Sequence, residues 1–139
     1  MFALGFPLLL IPFVVYNIVA FIFSLPNEFW VGPATTLHMM SGVDWVLTWE
    51  DLLIAFSIFL LWIEIIKATR LGMRSVMDHI LAMVLFIGML VEFLLVTRAA
   101  TSTFFLLMVI ALVDVLAGFI IGMRSGRRQV EIDTPERAL

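Results

Sequence analysis

Apolar residues dominate the chain in four long stretches that polar segments separate. The stretches cover residues 5–24, about 50–67, about 76–97 and 103–123. A helix needs about 20 mostly apolar residues to cross the hydrocarbon core of a bilayer. We therefore predict an all-α integral membrane four-helix bundle with four spans, built from residues 1–123.

The first stretch is predicted to be a retained span rather than a signal peptide. It lacks a basic segment before its apolar run and a small-residue cleavage site after it. Pro12 removes one backbone hydrogen bond, so it should either kink this span or mark where the helix begins.

Polar motifs mark the starts of two other spans. Thr48 and Asp51 stand three residues apart, the spacing of a capping box, directly before the second apolar stretch. Thr101 or Ser102 can cap the fourth span, because both stand directly before its apolar stretch. Both motifs agree with the hydropathy pattern.

The segment 25–49, between the first two spans, is too apolar to be a free linker. It contains Trp30, Trp45 and Trp49, and tryptophan favours the headgroup level of a membrane. We predict an outer loop that lies at the interface, with one short helix near 34–41.

Basic residues are distributed unevenly among the polar segments. The segment between spans two and three carries Lys67, Arg70 and Arg74, and the segment 124–139 carries Arg124, Arg127, Arg128 and Arg137. The other side has Arg98 alone. Since short cytoplasmic loops are enriched in Lys and Arg, both termini are predicted in the cytoplasm, and 124–139 is a short polar cytoplasmic tail that is interrupted by proline.

Composition supports the membrane assignment and excludes several other classes. The chain is 63% hydrophobic and 14% charged, with a mean hydropathy of +1.16, whereas soluble domains are roughly 25% charged. Cysteine is absent, which excludes disulfides, thiolate catalysis and cysteine metal sites. A nucleic-acid partner is not expected, because no basic patch stands on a soluble face.

Asp114 stands in the middle of the fourth apolar stretch. Residues four apart share a helix face, so Asp114, Gly118 and Gly122 form one stripe that includes a GxxxG pattern. We predict that this stripe makes a close helix contact. A central aspartate costs about 2.5–3.5 kcal/mol on insertion scales, which a span this apolar can tolerate.

The partner of Asp114 can be predicted from depth in the membrane. Counting about 1.5 Å per residue from the outer end of each span places Asn17 at a similar level, with Tyr16 as the second choice. Unless a cation lies nearby, we expect the Asp114 carboxyl to be protonated or to share a hydrogen bond. A structural role between helices and a role as a protonation or ligand site are both open.

Other ionisable residues lie nearer the membrane ends. Glu64 and Lys67, three residues apart, are candidates for an ion pair. Asp78 is expected at the cytoplasmic end with Glu64, separated by a gap from Asp114. Near the outer end, Glu92 can extend outward or meet Arg98. Interfacial anchoring is the commoner role for such residues.

Three further groups have alternative interpretations. His79 could accept a proton or simply end a helix. The run at 38–40, His-Met-Met, could bind copper(I) or belong to the interfacial loop. Arg124, Arg127 and Arg128 stand where anionic lipid headgroups would lie and are predicted to bind them.

Five segments together resemble a group of small bacterial four-span inner-membrane proteins. They are LLWIEIIKATR (60–70), MDHILAMVLF (77–86), VEFLL (91–95), ATSTFFLLM (100–108) and ALVDVLAGF (111–119). The resemblance covers roughly residues 48–120. It implies the fold and a bacterial inner-membrane location, and it supplies no substrate and no catalytic residues.

The sequence therefore favours a non-enzymatic membrane subunit. It would act as an accessory component of a larger membrane complex or as a homo-oligomer packed through span four, with no cofactor and no metal. The alternative is a small proton-linked transporter or channel that uses Asp114, Glu92 and Asn17. An intramembrane enzyme is disfavoured, because no nucleophile and base are placed together.

Overall fold

The computed structural model describes the backbone of residues 6–70 and 74–138 and the side chains of 6–69 and 77–123. The structure is mostly helical, at about 73%. The helices are α1 (Leu10–Asn17), continued by a π-helical turn (Ile18–Ile22), then α2 (Trp49–Arg70), α3 (Arg74–Leu95) and α4 (Ser102–Ala138). Short 3₁₀ turns occupy Asn27–Phe29 and Thr97–Ala99.

Three of these helices are long and apolar enough to cross a membrane. They are the apolar parts of α2, α3 and α4, at Trp49–Thr69, Met77–Leu95 and Ser102–Met123. Their bounds agree with the last three predicted spans to within a few residues. The fold is compatible with a membrane-embedded helical bundle.

The first predicted span is shorter in the structure than in the sequence analysis. Its described apolar helix covers Leu10–Ile22 instead of 5–24. Pro12 lies in the first turn of α1, where its missing N–H breaks no helical hydrogen bond, so it helps to begin the helix. At the other end of the chain, the backbone of α4 continues as a helix to Ala138, where a proline-interrupted tail was predicted.

The predicted short helix near 34–41 is wrong. The strands β1 (Pro33–His38) and β2 (Asp44–Thr48) form an antiparallel hairpin there. Its turn has Gly42 at a φ of +88°, and the Gly42 N–H donates to the Met39 carbonyl at 2.9 Å. A turn followed by glycine in the left-handed region is a common three-residue hairpin connection.

Both predicted helix caps are confirmed. The Thr48 N–H donates to the Asp51 carboxylate at 3.0 Å, and the Asp51 N–H donates to the Thr48 hydroxyl at 3.1 Å. At α4 the Phe104 N–H donates to the Thr101 hydroxyl at 3.1 Å, which makes Thr101 the cap. Each bond satisfies an amide that the helix itself leaves without a partner.

Helix α4 occupies the centre of the bundle. It packs along both α2 and α3, which hardly contact each other, and α1 packs more lightly against α2 and α4. The β-hairpin and the α3–α4 connection lie at one end, called here the hairpin end. The other end, where α2 finishes and α3 begins, is called the polar end.

An aromatic cluster holds the hairpin end together. The fully buried Tyr16 ring stacks on Trp30 at 5.0 Å and meets Phe104 edge-on at 5.0 Å. Its hydroxyl donates to the Arg98 carbonyl at 2.8 Å and lies 2.7 Å from the Thr101 hydroxyl. One side chain of α1 therefore fixes the base of the hairpin and the start of α4.

Candidate functional site: a polar cavity among three helices

Three carboxyl groups and one imidazole surround a small cavity at the polar end. Glu64 comes from α2, Asp78 and His79 come from α3, and Asp114 comes from α4. The cavity has a volume of about 30 Å³. Each of the three long helices α2, α3 and α4 therefore contributes an ionisable side chain to one site.

Helical spacing and small residues create the space. Gly118 and Gly122 follow Asp114 at intervals of four, so they lie on the same face of α4 and line the cavity without side chains. Ala68 stands four residues after Glu64, and Ala82 four residues after Asp78, on the facing walls. Each acid is followed one turn later by a small residue that leaves the cavity open.

Glu64 is the member of the site with identified partners. It is 7% exposed, and its carboxylate lies 3.6 Å from the Lys67 ammonium, which confirms the predicted ion pair. It also accepts a hydrogen bond from the Leu8 N–H, and Lys67 donates to the Phe6 carbonyl at 3.2 Å. These contacts attach the segment before α1 to the end of α2.

The buried polar atoms of Asp78, His79 and Asp114 have fewer hydrogen-bond partners than those of Glu64. Asp78 Oδ1 and His79 Nδ1 are buried and have no hydrogen-bond partner within the described residues. Asp114 is 9% exposed, and no hydrogen bond to its carboxyl occurs within that same part of the chain. Buried polar atoms nearly always have a partner, so these atoms need an explanation.

His79 lies directly against Gly118. A Cβ at position 118 would stand 2.9 Å from His79 Nδ1, closer than real Cβ contacts occur. At Gly122 a Cβ would meet no described atom within 4 Å. The two glycines of the predicted GxxxG stripe therefore differ: Gly118 permits contact with α3 of the same chain, and Gly122 faces open space.

A second polar group lies toward the hairpin end. Asn17 Nδ2 donates to the Phe13 carbonyl at 2.9 Å and lies 3.4 Å from the Glu92 carboxylate. Arg98 donates to the Ala20 carbonyl, and the ion pairs among the described residues do not include one between Arg98 and Glu92. Glu92 is fourteen residues from Asp78 on α3, or about 21 Å along the helix. This group is separate from the cavity.

The structure changes two sequence-based expectations about Asp114. Asn17 and Tyr16 have partners at the hairpin end, so neither is the partner that was predicted for Asp114. The expected gap between Asp114 and the pair Glu64 and Asp78 does not exist, because all three line one cavity.

The remaining candidate groups lie elsewhere. His38 pairs with Asp44 across the hairpin at 2.6 Å, and both side chains are exposed. No three His, Asp or Glu side chains in the described part of the chain are spaced to hold a metal ion. The side chains of Arg124, Arg127 and Arg128 lie outside the described residues, so their predicted lipid binding stays a prediction.

Comparison with known proteins gives no further assignment. No family model, no curated protein and no solved structure matches the chain. The resemblance of residues 48–120 to small four-span membrane proteins stays a sequence-based prediction.

The two glycines of α4 provide a matched test of the helix contact. Gly118→Ala should destabilise the protein by about 1–3 kcal/mol, because the added methyl group must displace the His79 ring. Gly122→Ala should be neutral or stabilising by up to about 1 kcal/mol, since alanine is the better helix former and no described atom lies in its way. Thermal unfolding of both variants in one detergent measures the difference. Equal effects at the two positions would contradict the His79 contact.

Proposed function

We propose that this chain is a non-enzymatic integral membrane subunit. It acts either as an accessory component of a larger membrane complex or as a homo-oligomer that packs through α4. The observation that carries the proposal is the apolar outer surface of the bundle. Large apolar side chains cover it along all three long helices, including Trp62 on α2, Leu94 on α3 and Phe119 on α4.

The amount of exposed apolar surface supports a further contact beyond the chain itself. Even in α4, the central helix, only 33% of the most apolar segment is buried inside the bundle. Phe105, Val109, Leu112 and Leu116 follow one another at helical spacing on its outer side. An apolar stripe of this length suits lipid chains or the helix of another subunit.

The proposed location is the bacterial inner membrane, with four spans and both termini in the cytoplasm. The uneven distribution of Lys and Arg in the sequence supports this orientation, and the resemblance supports the location. The polar end of the bundle would then face the cytoplasm, and the β-hairpin would lie at the outer interface. Anionic lipids would be bound at the cytoplasmic face by Arg124, Arg127 and Arg128.

The composition of the purified particle tests the subunit proposal. Tagged protein is extracted from its own membranes in a mild detergent, and its mass and constituents are measured. We expect either a defined multimer of this chain or a stoichiometric complex with a larger membrane protein. A homogeneous particle that contains one copy of this chain and nothing else would contradict the proposal.

The absence of cysteine allows the orientation to be tested in the same preparation. Ser41→Cys places a thiol in the exposed hairpin turn, and Ser125→Cys places one after the fourth apolar stretch. A membrane-impermeant maleimide should label Ser41→Cys in intact spheroplasts. It should label Ser125→Cys only after the spheroplasts are lysed. The reverse pattern would contradict the proposed orientation.

A second candidate function is a small proton-linked transporter or channel. The burial of Asp114 beside a cavity favours it, because intramembrane acids commonly mark proton or ion pathways. In its predicted form the path uses Asp114, Glu92 and Asn17. The distance between the cavity and the Glu92–Asn17 group is the main argument against that form.

Proton flux into proteoliposomes tests the second candidate. Asp114→Asn keeps the shape of the side chain and cannot release a proton, so it should abolish flux. Asp44→Asn, on the exposed hairpin, is the matched control and should leave flux unchanged. Flux that persists in Asp114→Asn, or no flux in the wild type, would remove this candidate.

A further inference from the structure

The charges around the cavity at the polar end do not balance. Glu64, Asp78 and Asp114 are acids, and Lys67, the one described ammonium beside them, pairs with Glu64. If all three acids were ionised, two negative charges would lack a counter-charge among the described side chains. Like charges that share a poorly solvated site cannot all ionise at low cost.

The shape of the site suits a proton and a water molecule better than a metal ion. The His, Asp and Glu side chains within the described residues form no group of three with metal-binding spacing. A cavity of about 30 Å³ exceeds the roughly 10–15 Å³ that one water molecule requires. A water there also needs two to four polar partners.

The unsatisfied atoms supply those partners. Asp78 Oδ1 and His79 Nδ1 are buried and have no partner among the described side chains, and the carboxyl of Asp114, with more than nine-tenths of that residue buried, lines the same space. These groups come from two helices that pack along each other. A bridging water would satisfy all of them at once.

We propose that this cavity is a proton-binding site, in which a water molecule connects Asp78 and His79 of α3 to Asp114 of α4 and a proton is shared between the two carboxyl groups. Binding forms an O–H bond on a carboxylate oxygen of Asp78 or Asp114, the imidazole is a hydrogen-bond partner, and the proton comes from the aqueous phase. Glu64 and Lys67 of α2 face the site as a compensated pair. The site does not depend on transport, because it can bind a proton in a protein that moves nothing.

Infrared spectroscopy of the purified full-length protein tests this site directly. A protonated carboxyl gives a C=O stretch that is absent from a carboxylate and that shifts in heavy water. We expect the wild type to show this band at neutral pH and to lose it at alkaline pH. Absence of the band at neutral pH would overturn the proposal, since the carboxylates would then be balanced by a cation or by Arg70 or Arg74, which end α2 and begin α3.

Two variants locate the proton. Asp114→Asn and Asp78→Asn should each lose a large part of the neutral-pH band, because removing either carboxyl removes a partner that shares the proton. Asp44→Asn, which changes an exposed aspartate of the hairpin, is the matched control. It should lower the carboxylate bands and leave the protonated-carboxyl band unchanged. If neither cavity variant lowers the band, the proposal fails; if one variant alone lowers it, the sharing between α3 and α4 is refuted.

Two further measurements keep the test decisive. Elution as the wild-type particle shows that each variant is folded, and the wild-type titration alone remains sufficient if a variant is not. Replacing choline with sodium at constant ionic strength and pH should leave the band unchanged. A loss of the band with sodium would identify a small-cation site and overturn the assignment to a proton.

Discussion

The cost of removing carboxyl groups from water constrains the polar end of this bundle. The effective penalty is several kcal/mol for each uncompensated charge. Glu64 avoids most of it through Lys67 and the Leu8 amide. Asp78 and Asp114 instead face a shared cavity that small residues keep open, so at this end α3 and α4 meet around polar groups rather than around a filled core.

The hairpin end is instead held together by close packing and by polar groups that have hydrogen-bond partners. There the aromatic rings of Tyr16, Trp30 and Phe104 pack closely, and the hydroxyl of Tyr16 is fully used in hydrogen bonds. The β-hairpin is attached to this cluster by the bond from the Glu50 N–H to the Trp30 carbonyl at 2.8 Å. One end of the molecule is therefore closely packed, and the other has buried polar atoms that the described residues leave without partners. This contrast is what we expect if the polar end carries a binding function.

Hydropathy was sufficient to predict the three long helices, because their apolar runs have no competing interpretation. It could not predict the hairpin, although Thr35 and Thr36 before the Ser41–Gly42 turn favour strands. The sequence did not predict the cavity, because the distance of Asp114 from the outer end of its span does not show that it reaches the level of Glu64 and Asp78. Glu64 and Asp78 fall within two turns of the short α2–α3 connection, so the sequence placed both at one level, but it placed Asp114 at a different depth. Which acid faces which helix depends on α4 lying between α2 and α3, and no local pattern encodes that.

We infer that the Asp114 carboxyl binds a proton in the cavity and adds no net stability to the packing of the helices. The free energy of unfolding of Asp114→Val in detergent tests it most directly, with Leu112→Val on the outer side of α4 as the control. Valine removes the buried carboxyl, and the adjoining cavity can accept its methyl groups. We predict that stability is unchanged or raised by about 1–3 kcal/mol, because valine avoids the cost of burying a carboxyl that accepts no hydrogen bond from the described residues. A loss of about 2 kcal/mol or more in the free energy of unfolding, absent from the control, would show that the Asp114 carboxyl stabilises the packing of the helices and would refute this inference.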